Sequence, residues 1–118
     1  MSVIHLNSEN YESQVLQSDK KVLIDFYADW CGSCRVISPF IDEIAEEFSE
    51  YKVCKINVDE QPELASKFQV MSIPALFVVE NGEVINKSIG AIPKSQILDL
   101  LNWAYSRGIF PAAVVNII

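Results

Sequence analysis

The chain has 118 residues, half of them hydrophobic and 21% charged, which suits a single domain with a real core and argues against disorder. Nine Lys+Arg against sixteen Asp+Glu give a net charge of −7. With no basic block, a nucleic-acid phosphate footprint and docking on anionic membranes are both excluded as expectations. No run is long and apolar enough to span a bilayer, and MSVIHLNSENYES has neither the basic start nor the apolar stretch of a secretory signal. Three cysteines are too few and too odd in number for a disulfide scaffold. The expected compartment is the cytoplasm, where a CxxC is either a metal half-site or a redox pair.

Taken in chain order, Val3 to Leu6 reads as a short strand. Ser8 reads as an N-cap for a helix through about Gln17, with Tyr11, Val15 and Leu16 facing inward. Lys21 to Tyr27 is nearly continuous in apolar, β-branched and aromatic residues, the pattern of a central strand buried on both faces. From Cys34 to about Ser49, Ile37, Phe40, Ile41, Ile44, Ala45 and Phe48 form a helical stripe, with Pro39 expected to kink it. Asp42, Glu43, Glu46, Glu47 and Glu50 read as its solvated face.

Lys52 to Val58 is another strand, and Pro62 opens a short helix to about Phe68. Ala75 to Val79, the Asn81-Gly82 turn and Val84 to Ser88 form a hairpin. Pro93 opens a last helix whose inner face is Ile97, Leu98, Leu101, Ala104 and Tyr105. Strands and helices alternate first and a hairpin comes after them, so the expected class is α/β, a central mixed sheet with helices on both faces.

The chemistry concentrates at Trp30-Cys31-Gly32-Ser33-Cys34, directly after the buried strand and at the opening of the long helix. A helix start has unpaired N–H groups and a favourable dipole, both of which stabilise a thiolate at Cys31. Cys34 lies one turn further on, more deeply packed and able to close a ring with Cys31. This divides the labour into an attacking thiol and a resolving thiol. A zinc half-site is the competing reading of CxxC, but only Cys54 and His5 remain as soft ligands and neither has a partner at ligand spacing. No metal is therefore expected. Cys54 reads as a small core residue, His5 as structural or exposed, and Met71 as a rim or core contact.

Asp25 interrupts an otherwise apolar strand. Its alternatives are an edge strand with the carboxylate in water, or a buried acid of raised pKa placed behind the cysteines to exchange protons with Cys34. Lys55, mid-strand in KVCKINV, either faces outward or brings its ammonium to Asp25. Ile73-Pro74 is either punctuation before a strand or a cis bond presenting the backbone of Ser72 and Ile73 to an extended substrate.

As a set, VLIDFYADWCGSC, QVMSIPALFVVENGEV and KSIGA resemble the signature segments of the thioredoxin family, over about Val3 to Ser106. The resemblance implies the thioredoxin fold and the reduction of protein disulfides with electrons from a reductase, without a bound cofactor. It makes Cys31 the nucleophile, Cys34 the resolving thiol, Asp25 the proton-exchange group with Lys55 its neighbour, and Pro74 a cis-proline. Trp30, Ile73, Gly90 and Ala91 become the apolar docking surface, with Gly32, Ser33 and Ser72 completing the substrate-binding rim. Three positions depart from the family pattern: Ser33 replaces the usual Pro, Tyr27 a common Trp, and Ser72 a frequent Gly.

The same chemistry in a more oxidising member would serve as an isomerase or oxidant. A non-catalytic interaction module of this fold is the remaining alternative, opposed by the intact pair and by Asp25 and Pro74. The expected domain is residues 1–107, a monomer in solution. Residues 108–118, GIFPAAVVNII, form an apolar extension expected to pack on the surface away from Cys31, within the chain or across a weak dimer.

Overall fold

A computed structural model of the chain describes residues 2–102. The extension at 108–118, and with it Ala104 and Tyr105, lies outside the described residues. Strands β1 (Ile4–His5), β2 (Lys21–Tyr27), β3 (Tyr51–Asn57), β4 (Ala75–Glu80) and β5 (Glu83–Ile89) form one sheet in the order β1-β3-β2-β4-β5. Helices α1 (Gly32–Glu47), α2 (Pro62–Lys67) and α3 (Lys94–Asn102) complete the chain order. β2 pairs in parallel with β3 and antiparallel with β4, so the sheet is mixed and β2 is its centre.

Strand alternation sends Val22, Ile24 and Phe26 to one face, into a cluster with Tyr11, Val15, Ile56 and Phe77. Phe26, Phe68 and Phe77 meet there with ring centroids 5.1 to 5.3 Å apart. The opposite face takes Leu23, Leu76 and Val78 and packs them on Ile37, Ile41 and Ile44 of α1 and Ile97 and Leu101 of α3. Asp25 shares the parity of Leu23 and is therefore on the α1 side. Lys21 is also buried, and its ammonium donates 2.6 Å to the Leu101 carbonyl near the C-terminal end of α3.

Three local expectations change. The cap near the N-terminus is Asn7, not Ser8: its Oδ1 accepts from the backbone N–H groups of Glu9 and Asn10 at 2.8 and 2.9 Å. Beyond this cap the chain forms a wide turn, Glu12–Leu16, closed by Gln17 N–H to Glu12 C=O at 3.0 Å. That wide turn keeps Tyr11 and Val15 inside but leaves Leu16 40% exposed. Finally, α1 begins two residues earlier than expected and runs on through Pro39, whose ring is on the exposed side. Pro39 supplies no N–H to the Arg35 carbonyl, and no core contact is lost by it.

At the hairpin, Asn81 and Gly82 have φ of 53° and 81°, the left-handed pair that a two-residue turn between twisted strands requires. Removing apolar bulk from the α1 side of the core tests the packing. Ile41→Ala is expected to lower unfolding free energy by roughly 2–5 kcal/mol. Val36→Ala, on the exposed side of the same helix, is expected to change it by less than about 0.5 kcal/mol. Urea denaturation of both variants checks this; equal losses would mean that α1 does not pack through its isoleucine stripe.

Candidate active site

β2 ends at Tyr27 and α1 begins at Gly32, so the intervening residues must turn the chain back over the sheet. Cys31 is the residue at which extended backbone becomes helix: its φ and ψ are −89° and 108°. Its Sγ occupies the place of a capping oxygen and accepts 3.2 Å from the N–H of Cys34. Cys31 and Cys34 are joined in a disulfide, with their Cα atoms 5.3 Å apart. The structure is thus the oxidised state. On reduction, the same N–H and the helix dipole are aimed at the Cys31 sulfur, where they favour a thiolate.

Exposure does not separate the two cysteines as the sequence suggests: Cys31 is 5% and Cys34 3% exposed. Position does. Trp30, Gly32 and Ser33, the neighbours of Cys31, are all exposed, and a Cβ added to Gly32 would meet no atom within 4 Å. Cys34 instead lines a cleft of about 230 Å³ behind the disulfide, together with Asp25, Lys55, Ser38, Arg35, His5 and the segment Tyr27 to Asp29.

Asp25 is 1% exposed, and its Oδ1 has no hydrogen-bond partner. Burial pushes its carboxyl up to about 7; the Lys55 ammonium pulls in the opposite direction, and Asp42 adds to the rise. Lys55 is directly opposite Asp25 in the β2–β3 register. Its ammonium, however, is not on Asp25. It donates 2.8 Å to Ser38 Oγ and pairs with Asp42 Oδ1 at 3.2 Å, leaving the side chain 11% exposed. The long Lys55 side chain reaches past the carboxylate to partners nearer water, where its charge costs less desolvation.

Sequence reasoning missed Ser38 and the part played by Asp42. Cys34, Ser38 and Asp42 recur every four residues on α1 and so form one stripe facing the cleft, a signal present in the sequence. The Asp42 side chain is 59% exposed, so it belongs to the solvated face of α1 and pairs with Lys55 from there. Glu43 and Glu47 likewise hold Lys94 of α3 at 3.0 and 2.8 Å. Cys54 is fully buried, with its thiol pushed up to about 12 by burial, in keeping with a core residue.

On the outer side, Ile73 and Val58 pack against Cys31 and Cys34. The Ile73–Pro74 bond is cis. Pro74 C=O accepts 2.8 Å from Gly90 N–H, which draws the Gly90-Ala91 segment beside Ile73. Gly90 has φ 97° and open space where a Cβ would be. Trp30 is 69% exposed, held by its Nε1 donating 2.9 Å to Asp59 Oδ2. Asp59 is itself placed by a turn in which Asn57 Oδ1 accepts its N–H at 2.9 Å. Met71 is 93% exposed, a rim residue and not a core contact. Ser72 is exposed next to it.

Two outcomes test this geometry. Folded Asp25 holds its proton up to about pH 7, whereas an unfolded aspartate releases it near its ordinary value of about 4. Between those values the folded state binds the extra proton, so the contribution of Asp25 to stability falls as pH rises through that window. Asp25→Asn is expected to be the more stable protein at neutral pH, and the wild-type-minus-Asn difference in urea stability should decline across the same window. A difference that rises with pH would overturn the assignment.

Ser33 Oγ is 3.5 Å from Cys31 Sγ. A hydroxyl at that place donates to the Cys31 thiolate and favours the reduced form. Charge-assisted bonds contribute roughly 1.5–3 kcal/mol, less when exposed, so Ser33→Ala and Ser33→Pro are each expected to make the couple roughly 20–40 mV more reducing. Equilibration against glutathione measures this; unchanged or less reducing potentials refute it.

Comparison with known proteins gives a consistent result. The thioredoxin family model matches residues 2–103. The chain is similar to a thioredoxin of Haemophilus influenzae, 43% identical over 101 residues, covering 85% of this chain and 94% of that protein. It is 44% identical over 103 residues to a thioredoxin of Pyropia yezoensis, covering 86% and 96%. It is 40% identical over 101 residues to thioredoxin M5, chloroplastic, of Oryza sativa subsp. japonica, covering 85% and 59%. A disulfide at the head of α1, an acid buried behind it and this extent of similarity lead to one conclusion: the chain belongs to the thioredoxin family of disulfide oxidoreductases.

Proposed function

We propose that the protein reduces disulfides in client proteins through reversible closure of the Cys31–Cys34 disulfide, in cellular redox homeostasis. The observation that carries the division of roles is the asymmetry of the pair. Cys31 Sγ caps α1 and accepts from the Cys34 N–H, while Cys34 lines the cleft with Asp25. The Cys31 thiolate attacks one client sulfur, and the other leaves as a thiolate and takes a proton. Cys34 then gives its proton to Asp25 and attacks Cys31 Sγ. The bond between Cys31 and the client breaks, the second client sulfur leaves, and two electrons have passed to the client. A thioredoxin reductase returns the pair to the dithiol.

Client docking uses a rim of exposed Trp30, Gly32, Ser33, Ser72 and Ala91 and half-buried Ile73 and Gly90, with Pro74 beneath it. Support comes from the open space at Gly32 and Gly90, from the exposure of Ser72 and from the cis Ile73–Pro74 bond next to the cysteine pair, beside which an extended peptide can add. Met71 joins this rim on its exposure alone. Lys55 acts as the neighbouring charge that limits the rise at Asp25. The protein works as a cytoplasmic monomer in this reading. The contact of Ser33 with Cys31 favours a second reading, a more oxidising member serving as isomerase.

Insulin reduction with dithiothreitol tests the activity. Cys31→Ser is expected to abolish it. Cys34→Ser is expected to keep the attack, lose resolution and accumulate mixed disulfides with client proteins, visible on non-reducing gels. Accumulation on Cys34 in the Cys31→Ser protein would reverse the roles.

A further inference from the structure

The cleft behind Cys34 contains a histidine, His5, that disulfide exchange leaves unused. β1 pairs with β3 so that His5 is opposite Lys55, and β3 pairs with β2 so that Lys55 is opposite Asp25. In-register residues of neighbouring strands point to the same face. His5, Lys55 and Asp25 thus form one row across the sheet, on the α1 side, and all three line the cleft with Cys34. The row runs from the buried acid outward: Asp25 is 1% exposed, the Lys55 side chain 11%, and His5 is exposed.

We propose that His5 is the outlet of the proton path behind Cys34, a positioning residue that carries protons between the Asp25 carboxyl group and bulk water. This rests on the role of Asp25 as proton acceptor in the proposed function. Each resolving step leaves one proton on Asp25, and the next cycle requires that it leave. Lys55 is poorly suited to take it. Its ammonium is committed to Ser38 and Asp42. Imidazole is the side chain that both takes and gives a proton near neutral pH. A cleft of about 230 Å³ has room for a few water molecules to bridge the inner and outer groups. His5 is the only histidine in the chain.

The position is built into the fold. Leu6 N–H donates 2.9 Å to the Lys55 carbonyl, and Asn10 Nδ2 donates 3.0 Å to the His5 carbonyl, so the two-residue strand β1 is anchored around His5. The charged and titratable groups facing it across the cleft are Asp25 and Tyr27 of β2, Asp29 of the loop after it, Cys34 and Arg35 of α1, and Lys55 of β3 with Asp42 behind it. Arg35 donates to the Asp29 carbonyl, which keeps its guanidinium at the cleft wall. The proton balance is simple. Cys34 thiol loses a proton to Asp25 carboxylate; the Asp25 acid passes it through water to the His5 side chain, which passes it on to solvent. No electrons move in the relay.

The test uses the reduced full chain and an aromatic disulfide whose thiolate product is coloured, followed by stopped flow. The first release reports attack by Cys31 and the second reports attack by Cys34. In dilute buffer at about pH 6, where Asp25 starts mainly protonated, His5→Gln is expected to slow the second release at least threefold and to leave the first unchanged. Added imidazole is expected to restore the second rate, a response that a merely structural defect would not show. Urea stability and reduction potential should match wild type. A second release and pH profile identical to wild type, or slowing that imidazole does not relieve, overturns the proposal. If the wild-type protein itself shows no two-step release, the reductase reading fails instead, and the two failures are distinguishable.

Discussion

Burial of β2 at the centre of the sheet is the constraint on which the rest of the structure depends. Six of its seven residues are buried, with a strand on either side and a packed cluster on each face. A strand so enclosed can leave the sheet only beyond its end. The chain therefore turns over the sheet edge within a few residues and returns as α1, pressed down by Ile37, Ile41 and Ile44. That turn is what makes Cys31 a helix cap and sets Cys34 above Asp25. A slip of one residue in the register of β2 would move Asp25 to the phenylalanine face and leave Cys34 over an apolar side chain.

The same enclosure makes Asp25 costly. A carboxyl group with an unpartnered oxygen in the middle of a sheet breaks the usual rule that buried polar groups are satisfied. The nearest cation does not repair it, because Lys55 is drawn to Ser38 and Asp42. The result is an acid held near neutral pH by its surroundings, in a cleft open enough for protons to move. A tighter Asp25–Lys55 pair would add stability and take away that property, since a paired carboxylate stays ionised.

Around the disulfide the structure keeps two environments apart. Outside are the exposed side chains of Trp30 and Met71, with half-buried Ile73 and Gly90 beside them. Behind is a cleft into which His5, Lys55, Asp25 and Ser38 bring their polar side chains. The wall between them is the cysteine pair itself with Ala28 and Val58. In the proposed function a large partner approaches from one side while protons move on the other, so the two would not compete for the same space.

The sequence by itself determined every element whose signal is local. The run KVLIDFY specifies a buried strand, Asn81-Gly82 specifies a hairpin, and Trp30 to Cys34 after a strand and before a helical stripe specifies a redox pair at a helix start. Hydrophobic period, turn chemistry and motif spacing act over a few residues, and they are read where they stand. The apolar neighbours of Asp25 favoured burial over an edge strand facing water without settling it. What only the tertiary structure decided was who meets whom across the chain. Lys55 passes Asp25 for Asp42 and Ser38, Trp30 is held by Asp59, and His5 joins the cleft because β1 pairs with β3. The wide turn at Glu12–Leu16 belongs to the same class, set by how Tyr11 and Val15 fit the core. These outcomes depend on strand register, side-chain reach and desolvation between residues far apart in sequence, and no local pattern encodes them.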